Sequence, residues 1–152
     1  MTVAGVDPAV RPALATDARR LVLADLAGRL ARGLAESAVR YEGAASLATG
    51  PLRQALERLG REAQAQRAEI ASVARALGTS GAAALPGPPP SGPPAWGVIL
   101  GEAFQQERGL GRLAGDLGTL APDPALKALA ARLAAMAAER AGEVRRLYLR
   151  YS

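Results

Sequence analysis

Between Thr79 and Pro94 the chain reads TSGAAALPGPPPSGPP. Each proline fixes φ and removes a backbone N–H, so this stretch can enter neither a helix interior nor a strand ladder. Consecutive prolines favour the extended polyproline II form, and sixteen such residues reach roughly 50 Å at about 3.1 Å each. A helix of 28 residues is roughly 42 Å long. The segment can therefore carry the chain from one end of a helical bundle to the other, and it divides the sequence into two parts that build their elements separately.

Each part reads as two helices. In the first, Leu23, Leu26, Leu30, Leu34, Ser37, Tyr41 and Ala45 recur at spacings of three and four, one stripe of a helix over about 17–48. Thr16 or Asp17 offers the N-cap. Gly50 stops it and Pro51 opens the next, over about 51–78, with Leu52, Leu56, Leu59, Ala63, Gln66, Ile70, Val73 and Leu77 as its stripe. After the proline-rich segment the spacing predicts a helix over about 95–119, with Trp96, Leu100, Ala103, Glu107, Leu110, Ala114 and Leu117 on one face. APDP turns the chain, and a last helix over about 124–150 carries Leu126, Leu129, Leu133, Met136, Arg140, Val144, Leu147 and Tyr151. The two short connections make helical hairpins. Residues 1–16, with Pro8 and Pro12 and no helical period, read as an extended arm ahead of a single domain, 17–151. The expected fold class is all-α: a four-helix bundle of two hairpins joined by a long crossover, 79–94.

Composition agrees. Hydrophobic residues make up 49% and aromatics 3%, which suits close-packed helices of Ala and Leu rather than a sandwich of β-branched and aromatic residues. There is no cysteine, which excludes disulfides and thiolate metal sites, and no histidine, which excludes Ser-His-Asp, Cys-His and HExxH chemistry. The net charge of +5 comes from eighteen Arg and one Lys against the acids. The arginines are spread over every helix and interleaved with acids, whereas a nucleic-acid binder clusters them on one face. No apolar run is long enough to span a membrane, and the first residues lack a signal peptide's basic start and apolar run. The expectation is a cytoplasmic protein that binds neither nucleic acid nor membrane.

The two parts also repeat. SLATGPLRQALERLG parallels TLAPDPALKALAARL, with Leu52, Leu59 and Glu62 facing Leu126, Leu133 and Met136 at one fixed offset; one residue fewer in the first turn sets Leu34 against Glu107. Each part is then one hairpin of a pseudo-twofold bundle. In helix lengths, long crossover, repeat and register, residues 17–151 resemble the ferritin-like superfamily, and its small rubrerythrin-like bundles in particular. That resemblance implies a core dimetal centre, held by a Glu on each of the first and third helices and a Glu-x-x-His on each of the second and fourth. Mapped here, the positions are Leu34, Glu107, Glu62 with Ala65, and Met136 with Glu139. Only Glu62 and Glu107 keep the family residue. Leu34, Ala65 and Met136 cannot bind a hard metal ion. The implied reading is a degenerate bundle that has lost its di-iron site, binds no cofactor and is no enzyme.

Two interior carboxylates need a counter-charge. Arg140 sits on the inner stripe one turn after Met136, so the expectation is a core network of Glu62, Glu107, Arg140, Gln66 and Tyr41, with the guanidinium between the two carboxylates. The plainer reading turns Arg140 outward to reach water. Two other functions stay open. One is a reduced carboxylate metal site of Glu62, Glu107 and Glu139 for Mn, Mg, Ca or Fe in an oxidoreductase or metal-handling protein. The other is a small apolar ligand between Leu34, Met136 and Phe104. The leading expectation is a structural or protein-interaction module, paired as a homodimer through Ala-rich faces or bound to another protein. Trp96 reads as an anchor for the crossover, RRLYLRYS as the amphipathic end of a helix, and Pro86 to Pro89 as part of a spacer rather than a docking motif. Ser37, Ser46 and Ser72 have no base beside them and are not nucleophiles.

Overall fold

The structure, a computed structural model, describes the backbone over residues 11–79 and 92–152 and side chains from residue 17 onward. Four helices follow one another: α1 Arg11–Leu47, α2 Gly50–Ala76, α3 Trp96–Leu120 and α4 Pro124–Tyr151. Among the described residues there is no strand, and no helix is long and apolar enough to cross a membrane. α1 pairs with α2 and α3 with α4 as antiparallel hairpins, and α1 also packs against α3.

Local chemistry sets the helix ends. α2 begins at Gly50, whose φ is +59, with Pro51 in its first turn, where a missing N–H costs nothing. It ends in a Schellman arrangement: Gly78 at φ +92 donates to the Arg75 carbonyl and Thr79 to the Ala74 carbonyl. Asp123 caps α4, accepting from the Leu126 N–H at 3.3 Å, with Pro124 at the first helical position. The expected arm over 1–16 needs correction: α1 starts at Arg11, and Pro12 falls in its first turn, where its fixed φ suits a helix. Residues 1–10, and the conformation of most of the crossover, 80–91 with its PxxP match, lie outside the described residues.

Two apolar clusters fill the bundle. One joins Leu23 to Ala38 of α1 with Ala63 to Ala74 of α2, Leu110 to Leu117 of α3 and Ala130 to Ala137 of α4. The other joins Tyr41 to Ala48 with Leu52 to Leu59, Leu100, Ala103 and Val144. The first half of α1 thus lies beside the second half of α3, so these helices are antiparallel and α2 runs parallel to α3. Thr79 packs on Gly28 at one end, while Trp96 packs half-buried on the second cluster at the other. The connection between α2 and α3 therefore joins opposite ends of the bundle.

The two contacts between hairpins differ. α1 and α3 approach closely because Gly33 has no side chain: a Cβ there would meet Leu110 Cδ2 at 2.5 Å, and Gln106 Nε2 donates to the Gly33 carbonyl at 3.2 Å. α2 and α4 stand further apart and are joined by long polar side chains. Two other helical glycines serve no such approach. A Cβ at Gly101 or Gly115 meets nothing within 4 Å, so Gly101→Ala and Gly115→Ala should each stabilise by about 0.5–1 kcal/mol, read from urea midpoints.

A buried polar layer as candidate functional site

Between the two apolar clusters lies one polar layer. The inward stripe of α2 is Leu52, Leu56, Leu59, Ala63, Gln66 and Ile70, and that of α4 is Ala130, Leu133, Ala137, Arg140 and Val144. Those stripes bring Gln66 and Arg140 inward at the level where α3 presents Glu107 and α1 presents Ser37 and Tyr41. Arg140 is 1% exposed and Glu107 0%, a degree of burial that charged side chains reach only when paired.

The pairing is specific. Arg140 Nε donates to Glu107 Oε2 at 2.9 Å, and Nη1 donates to Gln66 Oε1 at 2.6 Å. Ser37 Oγ donates to Glu107 Oε1 at 2.8 Å, and the Tyr41 hydroxyl donates to the same oxygen at 3.0 Å. Gln66 Nε2 in turn donates to Met136 Sδ at 3.4 Å. All four helices contribute, and the carboxylate is satisfied by one cation and two hydroxyls. Arg140 Nη2 finds no acceptor among the described residues, so donors outnumber acceptors. Burial holds the Tyr41 hydroxyl in its neutral form by pushing its pKa far up, and the Glu107 charge pushes the same way.

That shift has two consequences. Tyr41→Phe removes a donor to a buried carboxylate and should cost about 1–2 kcal/mol at neutral pH. A raised folded pKa makes the native state hold its proton above the point where the unfolded tyrosine releases it. The contribution is whole below about pH 10 and is lost as the pH rises beyond it. Urea unfolding above pH 10 should therefore show a steeper fall in stability for the parent protein than for Tyr41→Phe.

Several expected positions move. The mapped Glu62 and Ala65 do not face the core: Ala65 is exposed and Glu62 is half-buried at the rim, where its charge acts on Arg58. Likewise Met136 is half-buried and Glu139 exposed. The inward pairs lie one residue later, at Ala63 with Gln66 and Ala137 with Arg140. Arg140 accordingly reaches Gln66, not Glu62, on α2. Glu62, Glu107 and Glu139 do not converge, and among the described residues no three acidic groups form a metal-sized cluster. Of the three residues read as a possible apolar ligand site, Leu34 belongs to one apolar cluster and Phe104 packs on the other, while Met136 is half-buried. The dimetal centre implied by the resemblance does not fit these residues, because the core layer offers one carboxylate and a guanidinium already bound to it. Ser37 was legible only as an inward stripe position; no local signal marks it as a carboxylate partner.

A second set of contacts joins α2 to α4 at the surface. Arg58 forms a two-pronged bridge with Glu143, its Nη1 donating to Oε2 at 2.9 Å, and Arg132 forms the same bridge with Glu69, its Nη1 donating to Oε1 at 3.1 Å. Gln66 and Arg140 are 74 positions apart. Arg58 and Arg132 share that separation, as do Glu69 and Glu143. The repeat seen in the leucines thus exchanges one bridge for the other, and the Gln66–Arg140 contact joins a position to its own counterpart. Compared with known proteins, the chain matches no protein-family model, no curated protein and no solved structure.

Proposed function

We propose that this chain is a non-catalytic structural or protein-interaction module, a ferritin-like bundle in which an arginine stands in the core layer that metal ions occupy in that superfamily. The observation that carries this reading is the Arg140–Glu107 contact, 2.9 Å long and 1% and 0% exposed at its two ends. A carboxylate already bound to a cation and two hydroxyls has little left to offer a second cation, and the guanidinium repels one. The layer is also ill placed for general acid–base catalysis: its tyrosine is held neutral, its arginine cannot release a proton, its carboxylate already accepts from three donors, and none of them faces solvent.

Function then falls to the surface. Its exposed apolar side chains include Leu21 at 72% on α1 and Leu149 at 70% on α4. The test is metal content of protein purified without chelator, followed by melting scans with Mn²⁺, Fe²⁺ and Ca²⁺. The expected result is no stoichiometric metal and no rise in melting temperature. A rise of several degrees with one ion, abolished by Glu107→Ala or Glu62→Ala, overturns the proposal in favour of a carboxylate metal site.

A further inference from the structure

The surface bridges of the face between the hairpins are self-complementary. The Arg58–Glu143 and Arg132–Glu69 bridges are counterparts under the repeat, as in an isologous interface between identical subunits. By those bridges alone, α1–α2 could pair with another α1–α2, using Arg58 against Glu69, as readily as with α3–α4. The buried layer breaks this equivalence. Its counterparts are unlike: Leu34 for Glu107, Gln66 for Arg140, and Leu110 and Ala114 for Ser37 and Tyr41.

We infer that the buried layer is a pairing selector, which admits α1–α2 against α3–α4 and rejects like hairpins, so that the partner this face fits beyond its own chain is the complementary hairpin of a second copy. Two α3–α4 hairpins would set Arg140 against Arg140, in place of the Gln66 oxygen that it now meets at 2.6 Å. Each Glu107 would also lose its two hydroxyl donors, facing leucine and alanine instead. Two α1–α2 hairpins would bury the Ser37 and Tyr41 hydroxyls against leucine with no carboxylate to receive them. Both arrangements leave buried polar groups unpaired, and the first adds like-charge repulsion. Exchange of whole hairpins between two copies keeps every bond of the layer, twice over. Polar core residues that fix partner choice at some expense of stability are known from coiled coils.

The chain has no cysteine, so single cysteines can report who pairs with whom. Full-length Arg58→Cys protein is mixed with Glu143→Cys protein, unfolded, refolded together at high concentration and treated with a short thiol-to-thiol crosslinker. A second mixture pairs Arg58→Cys with Glu69→Cys, which meet only if like hairpins pair. The selector predicts interchain crosslinking in the first mixture, exceeding the second by about tenfold or more. In a Glu107→Leu, Arg140→Gln background, which makes those two positions equivalent in both hairpins, the excess of the first yield over the second should fall severalfold. If that background loses its helical circular dichroism, Gln66→Arg serves instead, since it sets a cation against Arg140 in the unlike pairing as well. Equal yields without the background changes, a preference undiminished by them, or no interchain product in the first mixture each overturn the inference.

Discussion

Replacing Arg140 with alanine is expected to cost about 3–5 kcal/mol of folding free energy, among the largest losses any single substitution in this chain should produce. The side chain is 1% exposed and bonds to Glu107 and Gln66. Its removal leaves a carboxylate in the core with only two hydroxyls to solvate it, an amide oxygen without a donor, and a void the length of an arginine stem. Each is a recognised source of large destabilisation. For a chain of this size the melting temperature should fall by roughly 10 °C or more. A loss below roughly half a kcal/mol would mean that Arg140 lies outside the core in solution.

Glu107→Leu should cost a similar amount, about 3–5 kcal/mol, by the opposite route. The guanidinium then lies buried without a counter-charge, and the Ser37 and Tyr41 hydroxyls lose the oxygen they share. The two variants part company with pH. A stranded carboxyl can take up a proton and shed its charge, whereas a guanidinium cannot. The loss caused by Arg140→Ala should therefore shrink as the pH is lowered from about 7 to about 5, while that caused by Glu107→Leu should not. Parallel urea titrations at the two pH values separate them.

Much of this architecture is legible in the sequence. Leucine and alanine at alternating spacings of three and four mark each helix, and Gly50, Gly78 and Pro124 mark boundaries through the backbone angles they permit or forbid. The proline-rich segment is long enough to require no short-loop pairing of α2 with α3. The core layer is legible only in part. One residue along a helix is a rotation of about 100°, so the choice between Glu62 and Ala63 as the inward position decides whether a carboxylate is solvated or buried. The leucine stripe already carries Ala63 and Gln66; it is the mapping from the resemblance that sets Glu62 and Ala65 inward. Arg140 stands on the inner stripe in any register, because Leu133, Ala137 and Val144 flank it at helical spacing. Glu107 is fixed in the same way by Ala103, Leu110 and Ala114. The start of α1 at Arg11 is hidden because a proline in a first turn looks like one in an extended arm. The counterpart bridges are present in the letters, as Arg58 with Arg132 and Glu69 with Glu143. Their pairing appears only when α2 and α4 are set side by side.

The layer is also a case where polar burial need not mean net stabilisation. An ion pair with an orphaned donor is commonly no better than apolar residues of the same volume. What the Arg140–Glu107 pair does impose is mutual dependence: each charge is tolerable only while the other is present. The most direct measurement is a thermodynamic cycle by urea unfolding of the parent protein, Arg140→Met, Glu107→Leu and the double variant. The double variant is predicted to lose far less than the two single losses combined, with a coupling of about 2 kcal/mol or more, the remaining loss being that of the Ser37 and Tyr41 hydroxyls and the Gln66 oxygen left without partners. Losses that simply add would contradict a shared buried layer, and with it the claim that an arginine serves as the core cation of this bundle.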